Sequence, residues 1–255
     1  MLEEQILSNS NAVRTLVHSS VRSAISNISP DLDSVTPFKT DIVKWLSPVI
    51  DLSNFHVYPM NGITQGLDWW MAKEHRNIYM DDGDYQWVIP SSNMYDSPIK
   101  YISSPSSIDG NFRQVTTDNP VALDLAYVGS TRVEKIHVPE NVEYVFYSLS
   151  KAFGIRNVRT GWLFTKSTDM RLEALINSAK YYNYYANQVA ETIISNFDID
   201  FVHKMYYNEQ IRICSELDVI PSDSVWIATT TNEKYKKFRR AGNLARLCLA
   251  GVYNE

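Results

Sequence analysis

The segment YSLSKAFGIRNVRTGWLF, residues 147–164, places a lysine at the end of what reads as a buried strand. Desolvating an ammonium is costly, so a lysine in such a setting is usually held for function. Eight residues later comes Arg159, in a glycine-containing loop that leads into a second apolar run. A lysine that must be partly neutral to attack a carbonyl, near a guanidinium suited to a phosphate dianion, is what a phosphorylated aldehyde cofactor requires. Taken alone, the segment reads equally well as a lysine at a strand end beside a surface arginine in a turn.

Two further stretches carry chemistry. In VALDLAYVGST, Asp124 sits inside an apolar run, with Tyr127 three residues on, just past its end. A carboxylate there needs a cationic or hydrogen-bonding partner. A protonated pyridine nitrogen would serve, and so would backbone amides or an arginine. Upstream, MNGITQGLDWW puts a glycine and small polar residues at a strand-to-helix junction. Free backbone N–H groups and the positive helix end make such a junction an anion site, although many of these loops are plain turns.

Taken in order, NGITQGL, DYQW, DLAY, SLSKAFGIRNVRTGW and RLCLA resemble the pyridoxal-phosphate enzymes of fold type I, in particular the aspartate-aminotransferase-like class I/II aminotransferases. The likeness covers most of residues 40–166 in family order plus a short C-terminal stretch, and SxSK…GxxxxRxGW preceded by DxAY is its specific element. The resemblance implies that Lys151 is the Schiff-base lysine and the proton-transfer base, and that Asp124 keeps the pyridine nitrogen protonated so that the ring accepts electrons. It implies that Tyr127 hydrogen-bonds the phenolate oxygen, and that Arg159, Ser148, Ile63, Thr64 and Gln65 bind the phosphate. Tyr85 falls where the family stacks an aromatic ring on the cofactor, with Trp87 as the second choice; a packed core aromatic is the alternative for both. Arg246 falls where the family grips the substrate α-carboxylate, a bidentate task that suits guanidinium.

Two departures from the pattern stand out. Where the family carries an asparagine that bonds the cofactor's phenolic oxygen, SPSSIDGNF puts Ser107, whose reach is shorter; Asn111 is the substitute candidate. Only 16 residues separate Ser107 from Asp124, where the family fits a helix between two strands. A parallel crossover takes about a dozen residues or more, so this helix is expected to be cut to a turn or lost. The chain reads as a shortened member, and the joint presence of Lys151, Asp124, Tyr127 and Arg159 weighs against an inactive relative.

The elements that must position these groups follow from the apolar pattern. Residues 1–35 form an arm and a connector. DIVKWLSPVID is expected to be helical, capped by Thr40 or Asp41. Strands are expected at FHVYP (55–59), NIYMD (77–81), IKYIS (99–103), VALDLAY (121–127), YVFYSL (144–149) and GWLFTK (161–166). Residues 170–197 show the longest helical pattern, with Leu172, Leu175, Ile176 and Ala179 at helical spacing. A further helix, SVWIATTT and ARLCLA complete the chain. The expected fold is α/β, a fold type I architecture with a mixed, mostly parallel sheet between helices and a smaller α+β domain formed by the chain ends. The expected divisions are 1–35 (arm), 36–197 (cofactor-binding domain) and 198–255 (C-terminal domain).

Composition narrows the function classes. The 255 residues are 44% hydrophobic, enough for a sizeable core. With 24 basic against 29 acidic residues the formal charge is −5, so nucleic acid is not an expected partner, and KKFRR at 236–240 reads as a solvated face. No apolar run reaches the roughly 18 residues of a membrane span, and the first residues are acidic before they are apolar, the wrong order for a secretory signal. Two cysteines, Cys214 and Cys248, cannot build a disulfide framework or a metal quartet; with five scattered histidines, this points to a cytoplasmic, metal-free protein. The tyrosine-dense KYYNYYANQ (180–188) would line the substrate side of the site or pack a domain interface. The resemblance implies a homodimer, pyridoxal 5'-phosphate as cofactor, and an α-amino acid and a 2-oxo acid as substrates. A lyase on the same scaffold and a non-catalytic binding protein of the same fold are the alternatives.

Overall fold

The computed structural model of the chain describes residues 2–9, 12–29, 39–91 and 95–253. Two short helices, α1 (Leu2–Ser8) and α2 (Ser19–Ile25), flank a stretch over 12–18 that is neither helix nor strand. Most of the expected connector, and the residue before α3 (Lys39–Leu46), lie outside the described residues. Because α3 already begins at Lys39, Thr40 and Asp41 fall inside its first turn and not at its cap.

The main sheet uses β1 (His56–Asn61), β2 (Arg76–Met80), β3 (Tyr95–Ser103), β4 (Val121–Asp124), β5 (Val142–Tyr147) and β6 (Thr160–Thr165), with α4 (Gly62–Lys73) after β1 and α5 (Leu149–Ala152) after β5. Their order across the sheet is β1-β6-β5-β4-β3-β2. The four strands β2 to β5 run parallel, and β6 is antiparallel to both of its neighbours. Both faces are buried, which explains why the strands read as continuous apolar runs. Alternate residues nevertheless go to opposite faces: Val121, Leu123, Val145 and Phe164 join one core, while Tyr101, Ala122, Phe146 and Leu163 join the core under α4.

After β6 come α6 (Met170–Leu172), α7 (Tyr184–Asn196) and α8 (Phe201–Leu217), then a smaller antiparallel sheet of β7 (Ile220–Pro221), β8 (Ile227–Thr230), β9 (Arg239–Ala241) and β10 (Leu244–Cys248) in the order β7-β8-β10-β9. The N-terminal arm lies against this part: Glu3 pairs with Lys234 at 3.1 Å, and the Cys248 thiol accepts the Arg14 backbone N–H at 3.1 Å. Fold and expectation therefore agree on the mixed, mostly parallel sheet and on the helical cover.

Three local expectations need correction. Residues 170–197 are not one helix, and the longest helix among the described residues is α8. After α6 the backbone widens into a π-type turn over Glu173–Ser178, passes Lys180 in the left-handed region (φ +57°), and restarts at α7, where Asn183 caps by accepting the Ala186 N–H at 2.9 Å. Lys151 does not end a strand: β5 stops at Tyr147, and the lysine stands on α5, the helical turn capped by Ser148. The helix expected to be lost between β3 and β4 is indeed absent, and β4 and β5 are also joined without one among the described residues.

Candidate active site

At the C-terminal ends of the parallel strands, where open α/β sheets form their ligand crevices, lies a cavity of about 530 Å³. Ser103 closes β3 and Asp124 closes β4; Lys151 follows β5, and Ile63 and Thr64 open α4. Each side chain reaches the cavity because its strand stops there.

Asp124 is 2% exposed. Its Oδ1 accepts the Ala126 backbone N–H at 2.7 Å and its Oδ2 accepts the Tyr101 hydroxyl at 2.6 Å. Neither donor is a cation, and burial lifts the carboxyl to a pKa of about 7. This carboxylate is short of a positive charge. Tyr127 is buried beside it, and burial pushes its phenol up to about 12, so at neutral pH it retains its proton as a hydrogen-bond donor.

Lys151 Nζ donates to the Val13 carbonyl at 2.7 Å and lies 5.8 Å above the Tyr127 ring. Burial, reinforced by the charge of Arg246, lowers its pKa to about 8. A lysine in this state has an accessible neutral form near physiological pH, as a carbonyl nucleophile requires.

The opposite end of the cavity is built for an anion. Ile63 and Thr64 stand in the first turn of α4, whose N–H groups have no partners within the helix. Arg159 sits in the left-handed region (φ +66°), and its Nη2 donates to the Asn61 carbonyl at 3.1 Å and to Thr64 Oγ1 at 3.3 Å. Gly62 makes this possible. Its φ is +74°, and a Cβ there would lie 2.5 Å from Arg159 Nη2.

Other candidates are distributed unevenly. Ser148, Tyr85, Ser107 and Arg246 all line the cavity. Arg246 is 7% exposed, and its guanidinium donates to the Ser107 carbonyl. Gln65 does not join them: it is exposed, and its Oε1 accepts the Asn61 N–H at 2.7 Å, a capping bond that turns it away. Trp87 is 48% exposed and donates to Asp68 at 2.8 Å, so Tyr85 is the aromatic beside the cavity. Asn111 accepts the Asp223 N–H at 3.0 Å and is not in the lining, so it does not replace Ser107. The tyrosines of 180–188 are also absent from the lining; Tyr182 and Tyr184 pack on each other with ring centres 4.7 Å apart.

Several participants gave no sequence signal. Asp84 is buried, and its Oδ1 accepts from the hydroxyls of Ser103 (2.5 Å) and Ser107 (2.6 Å) and from the Tyr85 N–H (2.8 Å). The single proton of Ser107 is thereby committed to Asp84. Val13 enters from the arm. Arg240, read within KKFRR as part of a solvated face, is half-buried in the lining because edge strand β9 turns it inward.

These residues fit pyridoxal phosphate. Arg159 and the start of α4 suit a phosphate dianion, and buried Asp124 lacks the cation that a protonated ring nitrogen would supply. The buried Ser150 Oγ, also in the lining, has no hydrogen-bond partner. Among the described residues no cluster of His, Cys, Asp and Glu could hold a metal ion, both cysteines are free and buried, and no helix is long and apolar enough to cross a membrane.

No protein-family model and no curated protein sequence matches the chain. Solved structures do. The chain is similar to an aminotransferase of Helicobacter pylori (TM-score 0.61, 14% identity, covering 98% of this chain and 92% of that one). It is similar to the histidinol-phosphate aminotransferase of Sinorhizobium meliloti in complex with pyridoxal-5'-phosphate (0.66, 15%, 97% and 88%). It is also similar to a pyridoxal-phosphate-bound C–S lyase of Staphylococcus hominis (0.60, 11%, 98% and 79%). The chain thus has the fold of these fold type I enzymes.

Proposed function

We propose that this protein is a pyridoxal-phosphate-dependent aminotransferase that moves an amino group from an α-amino acid to a 2-oxo acid in two half-reactions. The observation that carries the reading is one cavity holding Lys151, a lysine with lowered pKa, together with a buried carboxylate that lacks a cation and a guanidinium set at a helix start. When bound, the cofactor supplies an aldehyde for amine condensation and a ring that accepts electrons.

The chain's own groups then have separate tasks. Arg159, with the N–H groups of Ile63 and Thr64 and the hydroxyl of Ser148, anchors the phosphate and so fixes the cofactor's position. Asp124 holds a proton on the ring nitrogen. Tyr127 donates toward the phenolic oxygen, and Tyr85 covers one face. Arg246 grips the substrate carboxylate and orients the α-carbon. Lys151 Nζ, released from Val13, accepts the α-proton. The arm segment over 12–15 forms one wall and limits water.

The test is spectroscopic. Purified protein loaded with pyridoxal phosphate is expected to absorb in the visible, to bleach with an amino donor while an oxo acid appears, and to carry the vitamer on Lys151 after borohydride reduction. Labelling elsewhere would overturn the assignment. The C–S lyase among the similar structures keeps elimination as the second reading; ammonia release without pyridoxamine phosphate would select it.

A further inference from the structure

Asp84 is 1% exposed and does not line the cavity, yet it holds three residues that do. Its Oδ1 accepts the hydroxyls of Ser103 at 2.5 Å and Ser107 at 2.6 Å, and the Tyr85 N–H at 2.8 Å. Its Oδ2 is buried without a hydrogen-bond partner among the described residues. A main-chain N–H can only donate. Any proton on this carboxyl therefore belongs on Oδ2, and Oδ1 accepts in either protonation state.

The directions of the hydroxyls follow from this. A serine hydroxyl has one proton and two lone pairs. Ser103 gives its proton to Asp84 and receives the Ser107 N–H at 2.8 Å. Ser107 also gives its proton to Asp84, so its oxygen offers the cavity lone pairs alone. Tyr127 has the reverse character, since it keeps its proton at neutral pH. Arg246 belongs with both: its guanidinium donates to the Ser107 carbonyl, and its charge acts on the Tyr127 phenol. Arg159 makes its contacts elsewhere, at Asn61 and Thr64.

Pyridoxal phosphate carries its phosphate arm and its phenolic oxygen on opposite sides of the carbonyl carbon. With the phosphate at Arg159 and the carbonyl at Lys151, the phenolic oxygen faces away from Arg159, toward Tyr127 and Ser107. One of these neighbours donates and the other only accepts. We propose that Asp84 is a positioning residue that fixes the Ser107 hydroxyl as an acceptor and thereby keeps a proton on the phenolic oxygen of the bound cofactor. Hydrogen bonds then run one way: from Tyr127 to the phenolic oxygen, from that oxygen to Ser107 Oγ, and from Ser107 to Asp84 Oδ1. The inference rests on the proposed function for the orientation of the cofactor, and not for the reaction.

Two spectroscopic measurements test the proposal without reading turnover. In the first, protein loaded with pyridoxal phosphate is read at neutral pH for the ratio of the near-ultraviolet band of the neutral phenol to the visible band of the phenolate. The wild type is expected to show both bands. Asp84→Ala frees the Ser107 proton to turn into the cavity, and the neutral-to-phenolate ratio is expected to fall about 10-fold or more. Asp84→Asn keeps an accepting Oδ1 and is expected to retain most of the ratio. Ser107→Ala removes the acceptor and is expected to lower the ratio as well. In that background Asp84→Ala is expected to change it less than about 2-fold, because Asp84 acts through Ser107. An unchanged ratio in Ser107→Ala overturns the proposal, also where Asp84→Ala does not fold. Independent, multiplying effects of the two substitutions overturn it too.

The second measurement uses pyridoxine phosphate, which has an alcohol in place of the aldehyde and cannot condense with Lys151. Its absorption when bound reports the protonation of its phenol. A neutral phenol in the wild type that ionises in Ser107→Ala supports the proposal even if pyridoxal phosphate never reacts with Lys151, in which case the proposed function alone fails. A bound phenolate in the wild type overturns the proposal and leaves the proposed function intact. Binding of neither vitamer overturns both.

Discussion

Lys151 is tied to the arm of its own chain: its Nζ donates to the Val13 carbonyl at 2.7 Å, a contact spanning 138 residues of sequence. The amine to which the proposed function gives the attack on a carbonyl is thus aimed by a main-chain oxygen, and on that reading condensation requires that this bond be given up.

The first prediction concerns the state of that amine. Burial and Arg246 hold its pKa near 8, against an ordinary 10.5. The rate at which Lys151 is trapped by pyridoxal phosphate and borohydride is expected to rise with pH to a midpoint near 8, ahead of surface lysines, as read by peptide mass spectrometry. Between about 8 and 10.5 the unfolded chain binds the extra proton, so this group adds stability as pH rises through that window. Lys151→Ala is expected to abolish turnover, with cofactor binding measured separately by equilibrium dialysis.

Asp124 has the opposite linkage. Its folded pKa of about 7 lies above the ordinary 3.8, so between those values the folded cofactor-free protein holds the additional proton and loses stability as pH rises. Asp124→Asn is therefore expected to melt higher than wild type at pH 8, with the difference shrinking toward pH 4. Under the proposed function the same substitution in the cofactor-loaded protein would remove the partner of the ring nitrogen, and a rate loss on the order of 100-fold or more is expected. Near-normal turnover would remove Asp124 from its role.

Gly62 tests the phosphate end. An alanine there would place its Cβ 2.5 Å from Arg159 Nη2 at a φ of +74°. Gly62→Ala is expected to cost about 1–3 kcal/mol of stability and to weaken cofactor binding by displacing the guanidinium. Fluorescence titration with pyridoxal phosphate reads the affinity and thermal melting the stability.

Gly154 tests the arm. It has φ +75°, and an added Cβ would lie 2.2 Å from the Leu16 carbonyl oxygen. Gly154→Ala is expected to push the 12–17 segment off, seen as faster proteolysis within it and as a loss of the protection of Lys151 from solution reagents. Unchanged cleavage kinetics would show that the segment tolerates the intrusion.

Much of this was legible because local chemistry and strand periodicity agreed. Asp124, Lys151 and Arg159 stood out as charges inside or beside apolar runs, and the cavity contains all three. Gln65 is the exception, because its place in the motif says nothing of the capping bond that turns it outward. Arg240 was hidden in a run of basic residues, where only the pairing of β9 at the sheet edge decides which one faces in. Val13 and Asp84 meet the site through long-range packing that no local pattern encodes. The break near Lys180 had a readable marker in the Asn183 cap, masked by apolar spacing that continued across it.

The connection between β3 and β4 has a mechanical consequence. With no helix in it, residues 104–120 stitch the main sheet to the smaller one: Phe112 N–H bonds Asp223 at 2.9 Å, Asp223 N–H bonds Asn111 at 3.0 Å, and Ser224 N–H bonds the Gly110 carbonyl at 3.0 Å. A seam of this kind stiffens the joint between the two halves. Swinging one lobe against the other would have to break these bonds, so the cavity lined from both sheets keeps its shape.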